Sequence, residues 1–234
     1  MGVNASSSRL GQASQSVSFD AIKRSHALDG DVGNLDEFYR DWVDSYDADV
    51  TDQGYRAPAR IVELTSETII DRKLRPDELT VLDAGCGTGL VGIELARAGF
   101  TRIDGIDLSE PMVRKAASTG CYRALRGRVD LNRPMECLDA GAYDLLVCCG
   151  VFTLGHVAAA ALTHLVDAVR AGGILVVSTR DSYLNESEFT QYLDKLIVDG
   201  ELTLLHVHGN EPYIDEETAT YWILRTAAGP APRA

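Results

Sequence analysis

Val81-Leu82-Asp83-Ala84-Gly85-Cys86-Gly87-Thr88-Gly89 is the stretch on which the reading of this chain turns. It has the pattern of a short buried strand ending in a carboxylate, followed by a loop rich in glycine. Glycine at such a loop lets backbone approach a ligand closely, because a Cβ would hold the ligand away. Further on, Ile103-Asp104-Gly105-Ile106-Asp107-Leu108 gives a second short strand ending in an acid. Gly87-Thr88-Gly89-Leu90-Val91-Gly92 also satisfies G-x-G-x-x-G, with Asp107 near the spacing of a ribose-binding acid. A dinucleotide fold therefore competes for the same residues. The plainer alternative is a glycine turn in an α/β domain that binds nothing.

Outward from this stretch, strand and helix patterns alternate, the mark of a parallel sheet covered on both faces. The first strand is read at 79–84 and its helix at 89–98, stopped by Gly99. The second strand, 102–107, leads to a helix from Pro111 with Ser109 as N-cap. A third strand falls at 121–125 or at 128–131. Tyr143 to Cys149 is continuously apolar, hence central. A helix over 158–170 is capped by Gly172-Gly173, and the fifth strand follows at 174–179. Glu186 to Val198 is helical, and strands near 201–208 and 219–226 close the sheet as an antiparallel hairpin around Asp215-Glu216-Glu217. Upstream, over 35–50, Leu35, Phe38, Tyr39, Trp42, Val43 and Tyr46 form one apolar-aromatic stripe at helical spacing. Gly54-Tyr55-Arg56-Ala57-Pro58 interrupts it before a second helix, Pro58 to Asp71.

Composition narrows the partners. The 234 residues carry 22 basic and 35 acidic side chains, a net charge of −13, which disfavours nucleic acid. Arg123, Arg126, Arg128 and Arg133 cluster, and they read as a solvated loop. No apolar run approaches the roughly eighteen residues of a membrane span. Residues 1–18, rich in Ser, Gly, Gln and Asn, lack the apolar run of a secretory signal and read as a leader without structure. The five cysteines make no C-x-x-C pair, so neither a metal site nor a disulfide framework is expected, and a cytoplasmic location is.

With both strand-end acids and the alternation in place, most of the chain resembles the class I S-adenosylmethionine-dependent methyltransferases. The resemblance implies a single Rossmann-like α/β sheet of seven strands, mostly parallel with an antiparallel C-terminal edge, and helices on both faces. It divides the chain into a leader (1–25), a small N-terminal helical cap (26–75), a core (76–228) and a loose tail (229–234). Ligand chemistry separates this reading from the dinucleotide one. A pyrophosphate would be repelled by an acid at the first strand tip, whereas Asp83 suits the ammonium and sulfonium of S-adenosylmethionine. The amides opening the next helix suit the methionine carboxylate. By resemblance, Asp83, Gly85, Cys86 and Gly87 hold the methionine end and Asp107 accepts from both ribose hydroxyls. Leu108 and Met112 pack on adenine, whose amino edge meets Asp130 and Leu131. The carbonyl near Cys149 faces the ammonium, and Tyr39 and Tyr46 cover the donor from the cap. S-adenosylhomocysteine is the implied product.

For the acceptor, the chain reads Cys149-Gly150-Val151-Phe152 where amino-directed nucleobase methyltransferases carry an Asp/Asn-Pro-Pro-aromatic tetrapeptide. Gly155-His156, with Tyr46-Asp47 and Gly54 to Pro58, is similar to the methyltransferase-like group that includes the Williams-Beuren-region methyltransferase. His156 is the candidate general base, since imidazole titrates near neutrality; shaping the pocket or capping the next helix is its other reading. Tyr55, Phe152, Arg180 and Tyr183 are assigned to the acceptor pocket. The expected activity is in-line methyl transfer to an N, O, S or C nucleophile on a small molecule, of the kind found in bacterial secondary metabolism, by a monomer or homodimer. A donor-binding protein that has lost or repurposed the transfer, a protein-modifying methyltransferase and a nicotinamide-dependent oxidoreductase are the competing readings.

Overall fold

In the computed structural model, which describes residues 32–215 and 217–228, three helices precede the sheet: α1 (Val32–Trp42), α2 (Tyr46–Asp52) and α3 (Ala57–Asp71). The leader, residues 26–31 of the cap, Glu216 and the tail from 229 lie outside the described residues. The alternating part follows as β1 (Thr80–Ala84), α4 (Leu90–Arg97), β2 (Arg102–Ile106), α5 (Glu110–Ala117), β3 (Ala124–Arg126) and β4 (Tyr143–Phe152). It ends with α6 (Ala161–Ala168), β5 (Val169–Arg180), α7 (Asp181–Glu186), α8 (Phe189–Val198), β6 (Leu202–Ile214) and β7 (Glu217–Thr226).

The seven strands lie in the order β3-β2-β1-β4-β5-β7-β6. All neighbours are parallel except β7, which runs antiparallel to both β5 and β6. Strand β4 shows why both faces are covered. Leu145, Val147 and Cys149 join one buried cluster with Ile61 of α3 and Leu95 of α4, while Leu146 and Cys148 join another with Leu165 of α6 and Phe189 of α8. The period-two alternation of a strand is thus apolar on both sides. Each fully buried aliphatic or aromatic side chain stabilises the fold by about 1.5–3 kcal/mol. Strand order reverses between β1 and β4, so the loops at their carboxyl ends diverge and leave a crevice.

Several elements differ from expectation for local reasons. The aromatic stripe over 35–50 is split into α1 and α2 by a turn at Val43 to Ser45, where Ser45 Oγ and Trp42 Nε1 both donate to Asp49 Oδ2, at 2.8 and 2.7 Å. Short polar side chains of this kind offer the backbone an alternative to continuing the helix. Gly172-Gly173 does not cap α6; it lies inside β5, where Gly172 has φ +73° and a Cβ at Gly173 would stand 2.9 Å from the Asp144 carbonyl. The pairing of β4 with β5 shifts register between Tyr143 and Leu145, so these glycines make an irregularity of the strand. Ser109 precedes α5 without a side-chain cap bond. The segment 186–198 breaks between α7 and α8 at Ser187-Glu188, and β6 continues to Ile214.

Candidate functional site

The loops leaving β1, β2 and β4 fold against one another at one rim of the sheet. Gly85 N and Cys86 N both donate to the Ile106 carbonyl, at 2.8 and 2.9 Å. Gly87 N donates to Asp107 Oδ2 and Ser109 N to Asp107 Oδ1, each at 2.8 Å. Gly85 and Gly87 adopt φ +79° and +51°, which favour glycine. A Cβ at Gly85 would stand 2.2 Å from Val151 Cγ2, whereas one at Gly87 would meet nothing within 4 Å. The first glycine lets two loops pack, and the second faces open space.

That space is a cavity of about 800 Å³, counting its mouth. The core contributes Gly85, Gly87, Asp107, Leu108, Met112, Asp130, Leu131 and Cys149; the cap contributes Tyr39, Tyr46 and Tyr55; His156 closes one side. These are most of the residues assigned from sequence. Five others are not brought to it. Asp83 is fully buried and its Oδ2 accepts from Tyr122 Oη at 2.7 Å. Cys86 packs with Val113 and Ala116. Phe152 packs against Phe189, and Tyr183 is core, its hydroxyl donating to the Val157 carbonyl at 2.9 Å. Arg180 lines an adjoining chamber.

The chemistry of the wall fits a nucleoside carrying a cationic amino-acid end. Each Asp107 oxygen already accepts one backbone amide, and a carboxylate has about four acceptor positions, so two ribose hydroxyls can still be accommodated. Burial raises the Asp107 acid from its ordinary value although the Ser109 and Gly87 amides pull it down. Leu108, Met112 and Leu131 belong to the apolar part of the wall, beside Asp130, whose Oδ1 accepts from Asn132 N at 2.9 Å. Behind the loop, Asp83 Oδ1 is buried without a hydrogen-bond partner among the described residues. Desolvation lifts the Asp83 acid to about 7, with Tyr122 opposing and Asp107 adding to the rise. A buried acceptor left unsatisfied costs about 1–3 kcal/mol.

His156 joins cap to core. Its Nδ1 faces the Leu154 carbonyl at 2.9 Å, and a carbonyl only accepts, so Nδ1 carries the proton. Its Nε2 lies 2.6 Å from Tyr39 Oη. Burial pushes the imidazole down to about 4, with Arg180 adding to the drop, so His156 is neutral and Nε2 accepts from the Tyr39 phenol. Burial raises the Tyr39, Tyr46 and Tyr55 hydroxyls, which stay protonated.

The adjoining chamber, about 410 Å³ with its opening, shares Tyr39, Tyr46, Tyr55, Gly150 and His156 with the first cavity. Trp42, Thr153, Arg180 and Tyr213 complete most of its wall. Tyr213, Thr153 and Asn132 were not foreseen. Tyr213-Ile214 is an apolar pair just before the turn at Asp215, and that pair was the signal that β6 runs on. Asn132 had the signal of its neighbour Asp130; Thr153 had none.

A family model described as a methyltransferase domain matches residues 81–173, the span from β1 into β5. The chain carries a class I methyltransferase domain. Human methyltransferase-like protein 27 is 30% identical over 164 residues, 70% of this chain and 64% of that protein. A ribosomal protein L11 methyltransferase from Thiobacillus denitrificans is 36% identical over 109 residues, 47% of this chain and 34% of that one. The chain thus spans just under two thirds of the first relative's length and about a third of the second's. Among solved structures, magnesium protoporphyrin IX methyltransferase from Synechocystis PCC 6803, with S-adenosylmethionine bound, shares the fold at a TM-score of 0.56 and 17% identity, covering 97% of this chain and 100% of that one. The [4+2]-cyclase SpnF does so at 0.53 and 18%, over 70% and 80%. A cyclase on the same scaffold means that the methyltransferase domain's chemistry must be argued from its site.

Proposed function

We propose that the domain binds S-adenosylmethionine in the larger cavity and transfers its methyl group to a small molecule seated in the adjoining chamber. The observation that carries this reading is the junction of the two spaces. A cavity with Asp107 on its wall lies against an aromatic chamber, and Tyr39, Tyr46, Tyr55, Gly150 and His156 line both. The donor supplies an activated methyl on a sulfonium. The chain supplies alignment and a water-poor path, with Asp107 holding the sugar, Leu108 and Met112 the base, and the described part of the cap, α1 to α3, acting as the cover. His156 touches both spaces and orients the acceptor side through Tyr39; with its conjugate acid near 4, it suits an acceptor that needs little help losing a proton. The small size of the chamber and the acidic balance favour a small molecule, of the secondary-metabolite kind, over a polymer.

Calorimetry with S-adenosylmethionine and S-adenosylhomocysteine tests the donor half, and release of the demethylated product across an acceptor panel tests the transfer. Saturable binding of both nucleosides and no turnover on any small acceptor, with turnover on a ribosomal protein, would replace the small-molecule reading by a protein-modifying one. His156→Ala is expected to slow transfer while leaving donor affinity largely unchanged; an unaltered rate would remove His156 from the reaction.

A further inference from the structure

The second chamber has a composition of its own. Its wall is aromatic, with Tyr39, Trp42, Tyr46, Tyr55 and Tyr213 around a space of about 410 Å³ counting its opening. Among the residues lining it, Arg180 carries the only formal charge, since His156 is neutral. Arg180 is 6% exposed and ends β5, where Glu217 of β7 pairs with it and Ser182 bonds the other oxygen of Glu217. The guanidinium lies over the Tyr213 ring, its Cζ 5.3 Å from the centroid. An aromatic box by itself would suit a cation. Here one aromatic face already holds a cation of the chain's own, and no carboxylate lines the space. Thr153, 4% exposed, also lines the chamber, and its buried Oγ1 has no hydrogen-bond partner among the described residues. A hydroxyl shut away without a partner is costly, and a ligand oxygen would satisfy it. Gly150, at φ +76°, stands where the two spaces meet, and a Cβ there would come within 2.8 Å of Tyr55 Oη and 3.1 Å of Tyr213 Oη.

We propose that this chamber takes a small aromatic carboxylate, its ring among the tyrosines and its carboxyl group against Arg180 and Thr153. The inference rests on the chamber being the acceptor side of the proposed transfer, and it names the acceptor's class. Arg180 fits because guanidinium and carboxylate match in shape and charge, and because it stays ionised in a dry setting. Glu217 then acts as a positioning residue, fixing the guanidinium from behind.

The probes are benzoate, benzamide and benzylamine, three rings of nearly one size that differ in charge. Each is titrated into the full chain with and without saturating S-adenosylhomocysteine, whose own isotherm is recorded first. Benzoate is expected to bind at least about tenfold more tightly than the other two, the margin of one charge-assisted contact. The double variant Arg180→Gln/Glu217→Gln, which leaves no lone buried charge, should lose benzoate binding while keeping the nucleoside. Thr153→Val, nearly isosteric, should weaken benzoate several-fold and serves if the double variant does not fold. Equal binding of benzamide, tighter binding of benzylamine, or undiminished benzoate binding in these variants would overturn the proposal. So would the absence of benzoate binding to a chain that holds the nucleoside. Should the nucleoside itself fail to bind, the donor reading falls, and the benzoate titration still decides the chamber.

Discussion

Replacing His156 by phenylalanine should make the stability of the ligand-free protein fall with pH relative to the wild type between about pH 4 and 6.5. Burial holds His156 at about 4 against 6.5 for the free side chain. Between those values the unfolded chain binds a proton that the folded protein refuses. This contribution is therefore fully present above 6.5 and is lost as pH falls through 4, with a slope of about 1.4 kcal/mol per pH unit. Asp83 works the other way. Burial raises it to about 7 from 3.8, so across that interval the folded protein keeps a proton the unfolded chain has released. Its contribution is fully present below 3.8 and is lost as pH rises through 7, at the same slope.

From about pH 4 to 6.5 the two slopes cancel. Removing His156 leaves the Asp83 slope uncompensated, and stability relative to the wild type should drop by about 2 kcal/mol between pH 4.5 and 6. Asp83→Asn leaves the His156 slope uncompensated, and stability relative to the wild type should climb by about the same amount over that interval. The lost Tyr39 bond in His156→Phe shifts the whole curve without changing its slope, and exposed carboxylates contribute alike to all three proteins. Urea unfolding at a series of pH values, read by circular dichroism and by the buried Trp42 and Trp222, measures the slopes. Parallel profiles for the three proteins, or slopes of reversed sign, would refute the reasoning.

Asp107→Ala should weaken S-adenosylhomocysteine binding by at least about 1–3 kcal/mol, read by calorimetry, because charge-assisted bonds to the sugar and the clamp on Gly87 N go together. Lys115 Nζ meets Asp47 Oδ2 at 3.0 Å and the Val43 carbonyl at 2.9 Å, tying the turn after α1 to α5. Lys115→Met should speed amide exchange over α1 and α2 by about tenfold, and leave β4 and β5 unchanged.

The sheet was legible because its determinants are local. Apolar runs of strand length, glycines at their ends and acids at two strand tips lie within short reach of one another, and the order of elements follows from their alternation. What could not be read depends on pairings between distant positions. Tyr39 reaches His156, and Tyr122 captures Asp83, turning it from the cavity, through contacts that no window of sequence contains. Strand β6 illustrates a different limit. Gly209-Asn210-Glu211-Pro212 has turn composition, so the pattern ends near 208, yet the strand absorbs these residues with register shifts and Asn210 at φ +58°. An edge strand tolerates this because one side of its ladder is unpaired. That continuation carries Tyr213 to the chamber, where its carbonyl accepts from Arg56 N at 2.9 Å.

The two spaces also differ in sign, and the difference bears on rate. Asp107 and Asp130 line the larger one, with Asp83 behind the loop, while Arg180 lines the smaller. Acids thus stand on the side proposed for a sulfonium, and a cation on the side proposed for a carboxylate. If the acceptor's nucleophile is anionic, methyl transfer joins opposite charges into neutral products, and charge is already dispersed in the transition state. Water stabilises the separated ions more than that state, so bulk solvent slows such a reaction. A wall of tyrosines and a tryptophan, closed by a neutral histidine, removes that solvent, while Asp107 and Arg180 keep each reactant in place. In this arrangement a protonated His156 would add a positive charge beside the sulfonium, and burial that keeps the imidazole neutral serves the same end as the aromatic wall.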